Sequence, residues 1–558
     1  MKKHYFNIAK LTLGISMIST SVFAQSTVTV NKATTYQNID GFGGFAEMTD
    51  DFINDPAYVK MIINDLGATI IRDLMTQEFE EVNENNDPKK LDMTKMNFNG
   101  DVKRRLSALK ALKAEADAKG EPIKFLTSIW SPAAWMKYTK TVSAPDPIWN
   151  RLITSEEEAE KGGTDEVIKD MKDELAEYIQ AYLTNAKKEG VEMYALSIQN
   201  ELAFAQPFPS CVYSPLAYAN TMAVVGKRLK DNNINTLLVG PEDIGDLGRF
   251  ATYLGAIGAN PEALSHFDIS AVHAYATDAV TAGSQSATIW DGMYRVSNRK
   301  KKVPFWQTET SGYGTDYEAA MSLGRAMYVA LKFGKVSAWL FWGLSHPQAS
   351  EGLTASDKKP TSRYYVSKNF YRYVRPGATS VEATSTDTDV LALAFQHDEK
   401  KTLSIVLINN SKDGEKKVKL NFANNTATPT SFIQYITSAT DNCVSKGSIN
   451  ADGTITLPKY SVTTLVGNNS QPIITDLEDE LATNEISLFP NPANEQLNAH
   501  FANNLYSNYT ITDLAGKILI SNNITHLDEV IDISILPKGM YLFSAKGVKN
   551  YIQKIVVE

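Results

Sequence analysis

Leu196-Ser-Ile-Gln-Asn-Glu201 and Phe305-Trp-Gln-Thr-Glu309 each run from a strand-like segment into a terminal glutamate. Both ends fall inside an eightfold alternation of strand and helix signals. The strands read as Ile39–Gly44, Thr69–Leu74, Ile123–Trp130, Tyr194–Gln199, Thr236–Gly240, Ile269–Ala274, Val303–Thr308 and Val336–Trp342. Between them, Val102–Ala118, Glu174–Lys188, Pro215–Asp231 and Tyr317–Phe333 carry apolar residues at helical spacing, while the sixth helix, near Trp290–Ser297, is short. Eight such units predict the α/β class and a (β/α)8 TIM barrel over residues 38–374.

In such a barrel the active site lies at the C-terminal ends of the strands. That places Asn200, Glu201 and Glu309 at one mouth. Strands four and seven face each other across part of it, so their carboxylates can approach to about 5–5.5 Å, the spacing of a retaining double displacement at a sugar centre. One glutamate would attack as a carboxylate and the other would give and take a proton, which requires their pKa values to be pushed apart. Arg72, ending strand two, is the cation available to keep the nucleophile ionised. A single strand-end glutamate would be unremarkable, because carboxylates are common on surfaces; the matched pair is what points to chemistry.

Trp130, Trp135, Tyr275, Trp306 and Trp342 fall at or near strand ends, and aromatic faces suit the C–H faces of sugars. Trp306, inside its strand, reads as packing; Trp130 and Trp342 read as cleft residues. His273 reads equally as a hydrogen-bonded core residue or as an acid/base group. Histidine and cysteine are scarce, so neither a catalytic metal nor a cofactor is required.

The ends of the chain carry different signals. Residues 1–24, with Lys2, Lys3 and Lys10 ahead of an apolar run to Ala24, read as a secretory signal too short to span a bilayer. The formal charge is -9, and removing that segment makes it more negative, which disfavours nucleic acid and anionic membranes as partners. Cys211 and Cys443 read as two unpaired thiols. From Arg375 the texture shifts to short alternating runs, giving an all-β side domain over 375–467, to which residues 25–37 could add a strand. A polar linker, 468–484, and a small β-rich unit, 485–558, follow.

The barrel resembles glycoside hydrolase family 30. Ile39-Asp-Gly-Phe-Gly-Gly44, Ser128-Ile-Trp-Ser-Pro-Ala-Ala-Trp-Met-Lys137, Leu196 to Glu201, Val272-His-Ala-Tyr275, Trp306 to Glu309 and Phe370-Tyr-Arg-Tyr-Val-Arg-Pro-Gly377 carry the resemblance in order. It implies Glu201 as acid/base and Glu309 as nucleophile, Asn200 on the sugar 2-hydroxyl, and Trp130, Tyr275 and Trp342 lining the cleaved site. It also implies that the β domain is a side β-sandwich. The family includes glucuronoxylan xylanases, β-1,6-glucanases, β-1,6-galactanases, exo-glycosidases and glucosylceramidases. The expected activity is an endo-β-1,4-xylanase, yet the arginine with which glucuronoxylan-specific members grip the acidic side group is missing from Trp342–Gly352. A non-catalytic carbohydrate-binding surface protein is the rival reading, since a fold alone does not make an enzyme.

Ser487-Leu-Phe-Pro-Asn-Pro-Ala-Asn494, Ile511-Thr-Asp-Leu-Ala-Gly-Lys-Ile518 and Leu536-Pro-Lys-Gly-Met-Tyr-Leu-Phe543 resemble a type IX secretion sorting domain with a small sandwich-like fold. The resemblance implies passage through the periplasm and then across the outer membrane to the surface or the medium. The expected partners are a polysaccharide and the type IX machinery.

Overall fold

The computed structural model describes residues 26–85, 87–160, 170–275, 286–423, 428–468, 486–501, 505–514, 516–547 and 550–558. The expected signal segment lies outside these residues, as does the expected linker apart from Asn468. The chain divides into two units, Met1–Ile473 and Ile474–Glu558.

The first strand, β1 (Ser26–Asn38), stands apart from the barrel. The next eight close it: β2 (Gly41–Phe45), β3 (Ile70–Met75), β4 (Lys124–Ile129), β5 (Ala195–Ser197), β6 (Leu237–Ile244), β7 (Phe267–His273), β8 (Phe305–Glu309) and β9 (Ala338–Ser345). They pair in parallel in chain order, and β9 bonds both β8 and β2. The short strand β10 (Gly352–Thr354) adds to β9. Strands buried on both faces read as apolar runs rather than alternations, which is why the sequence shows them. Inside the barrel, Trp306 packs among Ala195, Ala271, Ala338, Ile70, Leu126 and Leu340. One large ring against three alanines fills the lumen, as its place within the strand predicts.

The helices begin where their caps dictate. Ser214 Oγ accepts from the Ala217 amide ahead of Pro215–Asp231, and Asp316 accepts from the Ala319 amide ahead of Tyr317–Lys332. A glycine is required at position 43 of β2, where a Cβ would sit 1.7 Å from the Ile70 carbonyl oxygen. Tyr371, from the helix Ser362–Tyr371, donates to the Gly43 carbonyl at 3.0 Å and fixes the barrel's first strand from outside.

β1 joins the later strands β11 (Thr379–Ser385), β12 (Val390–His397), β13 (Thr402–Asn409), β14 (Lys416–Phe422), β15 (Ser431–Thr437), β16 (Asn442–Asn450), β17 (Ile455–Leu457) and β18 (Ser461–Asn468). The nine form one continuous sheet in the order β16-β15-β18-β13-β12-β11-β1-β14-β17. Phe432 of β15 and Ile455 of β17, near its opposite edges, share a core with Ile405, so the sheet curls on itself in the manner of a sandwich. Along β13, Leu403, Ile405 and Leu407 fill that core, while Val406 and Ile408 join the cluster formed with the barrel's helices. Burial on both faces explains the unbroken apolar run there.

The second unit holds a three-stranded and a four-stranded antiparallel sheet, closed by Asn550–Val557, around Leu497, Phe501, Ile511, Phe543 and Ile555. Cys211 and Cys443 are buried and unpaired. No helix among the described residues is long and apolar enough to cross a membrane.

Candidate active site

Arg72 within β3, Ser128 near the end of β4 and the later parts of β5 to β8, with the turn after β5, deliver one buried ionic network. Arg72, fully buried, sits at its centre. Its Nη1 donates to Glu309 Oε2, Nη2 to Asn200 Oδ1 at 2.7 Å and Nε to Ser128 Oγ at 3.2 Å. Nε also lies 3.0 Å from Glu242 Oε1, and Ser128 Oγ donates to Glu242 Oε2 at 2.9 Å. His273 Nδ1 lies 3.1 Å from Glu201 Oε1 and 3.8 Å from Glu309 Oε1. His273 Nε2 lies 3.7 Å from Glu242 Oε1.

Glu201 and Glu309 therefore share a site. One oxygen of each and one His273 ring nitrogen all fall within 4.8 Å of one another. That matches a retaining pair better than an inverting one, which needs about 6.5–9.5 Å. Three such ligand atoms could also hold a metal ion, but the Arg72 guanidinium already supplies positive charge to Glu309.

Backbone geometry helps to aim the acids. Glu201 and Glu242 have φ of 48° and 54°, the left-handed region that side chains ordinarily avoid. The Glu201 amide donates to the Glu242 carbonyl at 3.0 Å, and the Asn200 amide to the Ile129 carbonyl at 2.7 Å. These bonds hold the turn after β5 against its neighbours on both sides.

Electrostatics divide the carboxylates. Burial opposes charge on Glu242, but Arg72 and then His273 outweigh it and hold the carboxyl at about 2. Burial likewise opposes charge on His273, yet Glu309, Glu201 and Glu242 lift it to about 10. At neutral pH His273 is a cation whose Nδ1–H donates to Glu201. Burial raises the Glu309 carboxyl, and the Glu201 charge adds to this, against the pull of His273 and Arg72. Burial therefore outweighs the arginine expected to hold Glu309 low.

His273 has a testable signature. Its folded-state pKa is raised, so its ionic contribution is complete below its unfolded value of about 6.5 and is lost as pH rises through about 10. The stability gap between wild type and His273→Gln is expected to narrow steadily from neutral pH to pH 10. Urea midpoints across that range check this.

Trp342 stacks on Phe45 with ring centres 4.7 Å apart and planes 2° from parallel, and Trp130 tilts against both at 5.6 and 6.0 Å. The Arg72 guanidinium lies 4.6 Å from the Trp130 ring centre. Tyr275 OH is 3.1 Å from Ser311 Oγ, which donates to Glu351. Of the eight candidate residues, Trp130, Asn200, Glu201, His273, Tyr275 and Glu309 lie at or just beyond strand ends, whereas Arg72, expected to end its strand, and Trp342 sit inside β3 and β9, because both strands run on past them. Trp135 instead donates to the Glu80 carbonyl at 3.1 Å. Sequence reasoning missed Glu242, because the strand-five reading stopped at Gly240 before Pro241. A carboxylate just past a barrel strand, as at Glu201, was the available signal.

A glucuronoxylanase of Bacillus subtilis (strain 168) is 25% identical over 460 residues, covering 81% of this chain and 94% of its own length. The family 30 endoxylanase of Clostridium papyrosolvens C71 superposes with a TM-score of 0.61 at 24% identity, over 79% of this chain and all of that one. This chain has family 30 glycoside hydrolase homologues. An endo-β-1,6-glucanase, BT3312, superposes over the same share of this chain and 94% of its own, with a TM-score of 0.59 at 18% identity. Residues 487–558 match the secretion system C-terminal sorting domain.

Proposed function

We propose that this chain is an exported retaining glycoside hydrolase acting on a β-linked polysaccharide, with xylan the preferred substrate. The observation that carries the reading is the Glu201–Glu309 pair, with oxygens within 4.8 Å, joined through Arg72 to the Trp130 ring and its Phe45–Trp342 stack.

In the first step a Glu309 oxygen attacks the anomeric carbon while the bond to the leaving oxygen breaks and Glu201 gives that oxygen its proton. In the second, Glu201 takes a proton from water, the water oxygen attacks the same carbon, and the Glu309 ester bond breaks. The Arg72 contact favours charge on Glu309 at the outset, and its bond to Asn200 Oδ1 leaves the Asn200 amide nitrogen for a sugar hydroxyl. Tyr275, Trp130 and Trp342 would flank the ring being cleaved.

Xylan is favoured by the xylanases among the relatives, and the β-1,6-glucanase neighbour makes a β-1,6-glucan the second reading. The Trp342–Gly352 segment holds no arginine, so independence from glucuronic acid side groups is part of the proposal. Export follows from the sorting domain, with the N-terminal segment as the first signal and the type IX machinery as the second.

The test is product sizing on glucuronoxylan, arabinoxylan, β-1,6-glucan and β-1,6-galactan, with Glu201→Gln alongside. Xylo-oligosaccharides from both xylans, abolished in the variant, support the proposal. Faster cleavage of a β-1,6-glycan would replace the substrate, and sugar binding without cleavage would replace the enzyme with a binding protein.

A further inference from the structure

Ser311 and Glu351 take no part in the two-step reaction above, yet they decide which way a hydroxyl proton points beside the nucleophile. Ser311, 5% exposed, stands two residues after Glu309. The residue between them is fixed on both sides: Thr310 Oγ1 donates to the Ala274 carbonyl at 3.2 Å, and the Thr310 carbonyl accepts from the Trp342 amide at 2.8 Å. The turn after β8 is thereby tied to the end of β7 and to β9. Tyr275, which follows Ala274, meets Ser311 with 3.1 Å between the two hydroxyl oxygens.

Glu351 reaches the same point from the segment between β9 and β10. Its amide donates to the Gln348 carbonyl and its carbonyl accepts from the Gly343 amide, both at 3.0 Å. Arg363, 1% exposed, donates from Nη2 to the carbonyls of Ala349 and Gly352, on either side of it. Held in this way, Glu351 accepts from Ser311 Oγ through Oε2 and from Ser350 Oγ, at 3.1 Å, through Oε1.

A carboxylate only accepts, and a serine hydroxyl has one proton to give. The Ser311 proton goes to Glu351, so Ser311 can only accept from Tyr275. The Tyr275 proton is thus committed to Ser311, and the phenol offers the rest of the site lone pairs and no donor. Tyr275 is close to the nucleophile: its ring packs edge-on to His273 with ring centres 6.2 Å apart, and His273 Nδ1 lies 3.8 Å from Glu309 Oε1. Burial, then the charge of Glu309, raises the phenol well above its ordinary value, so it keeps its proton beside that carboxylate. Left unengaged, the proton would turn to the carboxylate, because charged acceptors make the stronger hydrogen bonds. A nucleophile so bonded must break that bond before it attacks.

We propose, resting on the reading of Glu309 as the nucleophile, that Ser311 and Glu351 are positioning residues that hold the Tyr275 proton away from Glu309. Glu309 keeps its lone pairs free, and the phenol oxygen is left as an acceptor for a sugar hydroxyl.

The experiment is a substitution cycle on the full chain, read on the polymer it cleaves and on an aryl β-glycoside. Ser311→Ala and Glu351→Leu are each expected to lower kcat roughly ten- to hundredfold with KM changed less than about threefold, since the first removes the acceptor of the Tyr275 proton and the second lets the Ser311 proton displace it. Tyr275→Phe has no proton to misdirect, so in that background neither substitution is expected to lower kcat by more than about twofold further. Glu351→Gln, whose amide oxygen still accepts, should recover most of the rate lost in Glu351→Leu. Losses that multiply in the Tyr275→Phe background would overturn the proposal, because Ser311 and Glu351 would then serve the loop alone; an unchanged kcat in Ser311→Ala would overturn it as well. If Glu351→Leu does not fold, Ser311→Ala carries the cycle by itself. If the wild type cleaves neither substrate, the nucleophile reading fails separately, and neutron diffraction from deuterated crystals of the full chain reads the two hydroxyls directly. A Tyr275 deuteron on Ser311 and a Ser311 deuteron on Glu351 are expected, and the reverse order overturns the proton placement.

Discussion

Glu309→Gln is expected to lower kcat by about four orders of magnitude on whichever polymer the chain cleaves, with little change in melting temperature. The amide keeps the size of the carboxyl but cannot form the ester intermediate. It also removes a carboxylate whose ionisation burial already opposes, so the fold loses little. Glu201→Gln should behave differently. It should cripple cleavage of the polymer but spare the first step on an aryl glycoside whose phenolate leaves without a proton. Steady-state rates on both substrates, with a burst on the activated one, check the pair. If Glu309→Gln kept activity within tenfold of wild type, Glu309 would not be the nucleophile.

Arg72→Met is expected to destabilise the protein by about 3–5 kcal/mol, the usual result of removing one partner from a buried ionic cluster. Glu242 and Glu309 would both lose their guanidinium contact, and neither is open to solvent. The pH dependence gives this cost its sign. Glu242 is depressed to about 2, so its contribution is present above its unfolded value of about 4.5 and is lost as pH falls through 2. The gap between wild type and variant in urea denaturation should be widest above pH 5 and shrink toward pH 2. A variant as stable as wild type at pH 7 would mean that the network carries no net ionic stabilisation.

The barrel was readable because parallel strands buried on two faces leave long apolar runs separated by helical spacing. The reading failed where local chemistry and tertiary context disagree. Gly240-Pro241 reads as a turn, yet β6 continues to Ile244 through a register irregularity between Pro241 and Asp243. A bulge is where a strand tolerates proline. That irregularity hid Glu242, the carboxylate that Arg72 and His273 both face. β5 is only three residues long, so Gln199, Asn200 and Glu201 lie beyond it, on a turn set by bonds to the Ile129 and Glu242 carbonyls. No local pattern announces a glutamate with positive φ. The Trp130 and Trp342 assignments came from their position and from the family resemblance. Phe45, which completes their stack, ends a glycine-rich strand whose reading stopped one residue short of it.

The sheet that contains β1 also constrains the order of events in folding. Thr27 bonds Thr386 across 359 positions, and β1 is held between β11 and β14. It is synthesised first, and neither partner exists until most of the first unit has followed. Such distant pairing closes slowly, and during the wait β1 has both hydrogen-bonding edges bare. A chain cut short before β14, or one lacking Ser26–Asn38, would keep such an edge permanently and recruit strands from other chains, so its fate would be decided by aggregation before catalysis.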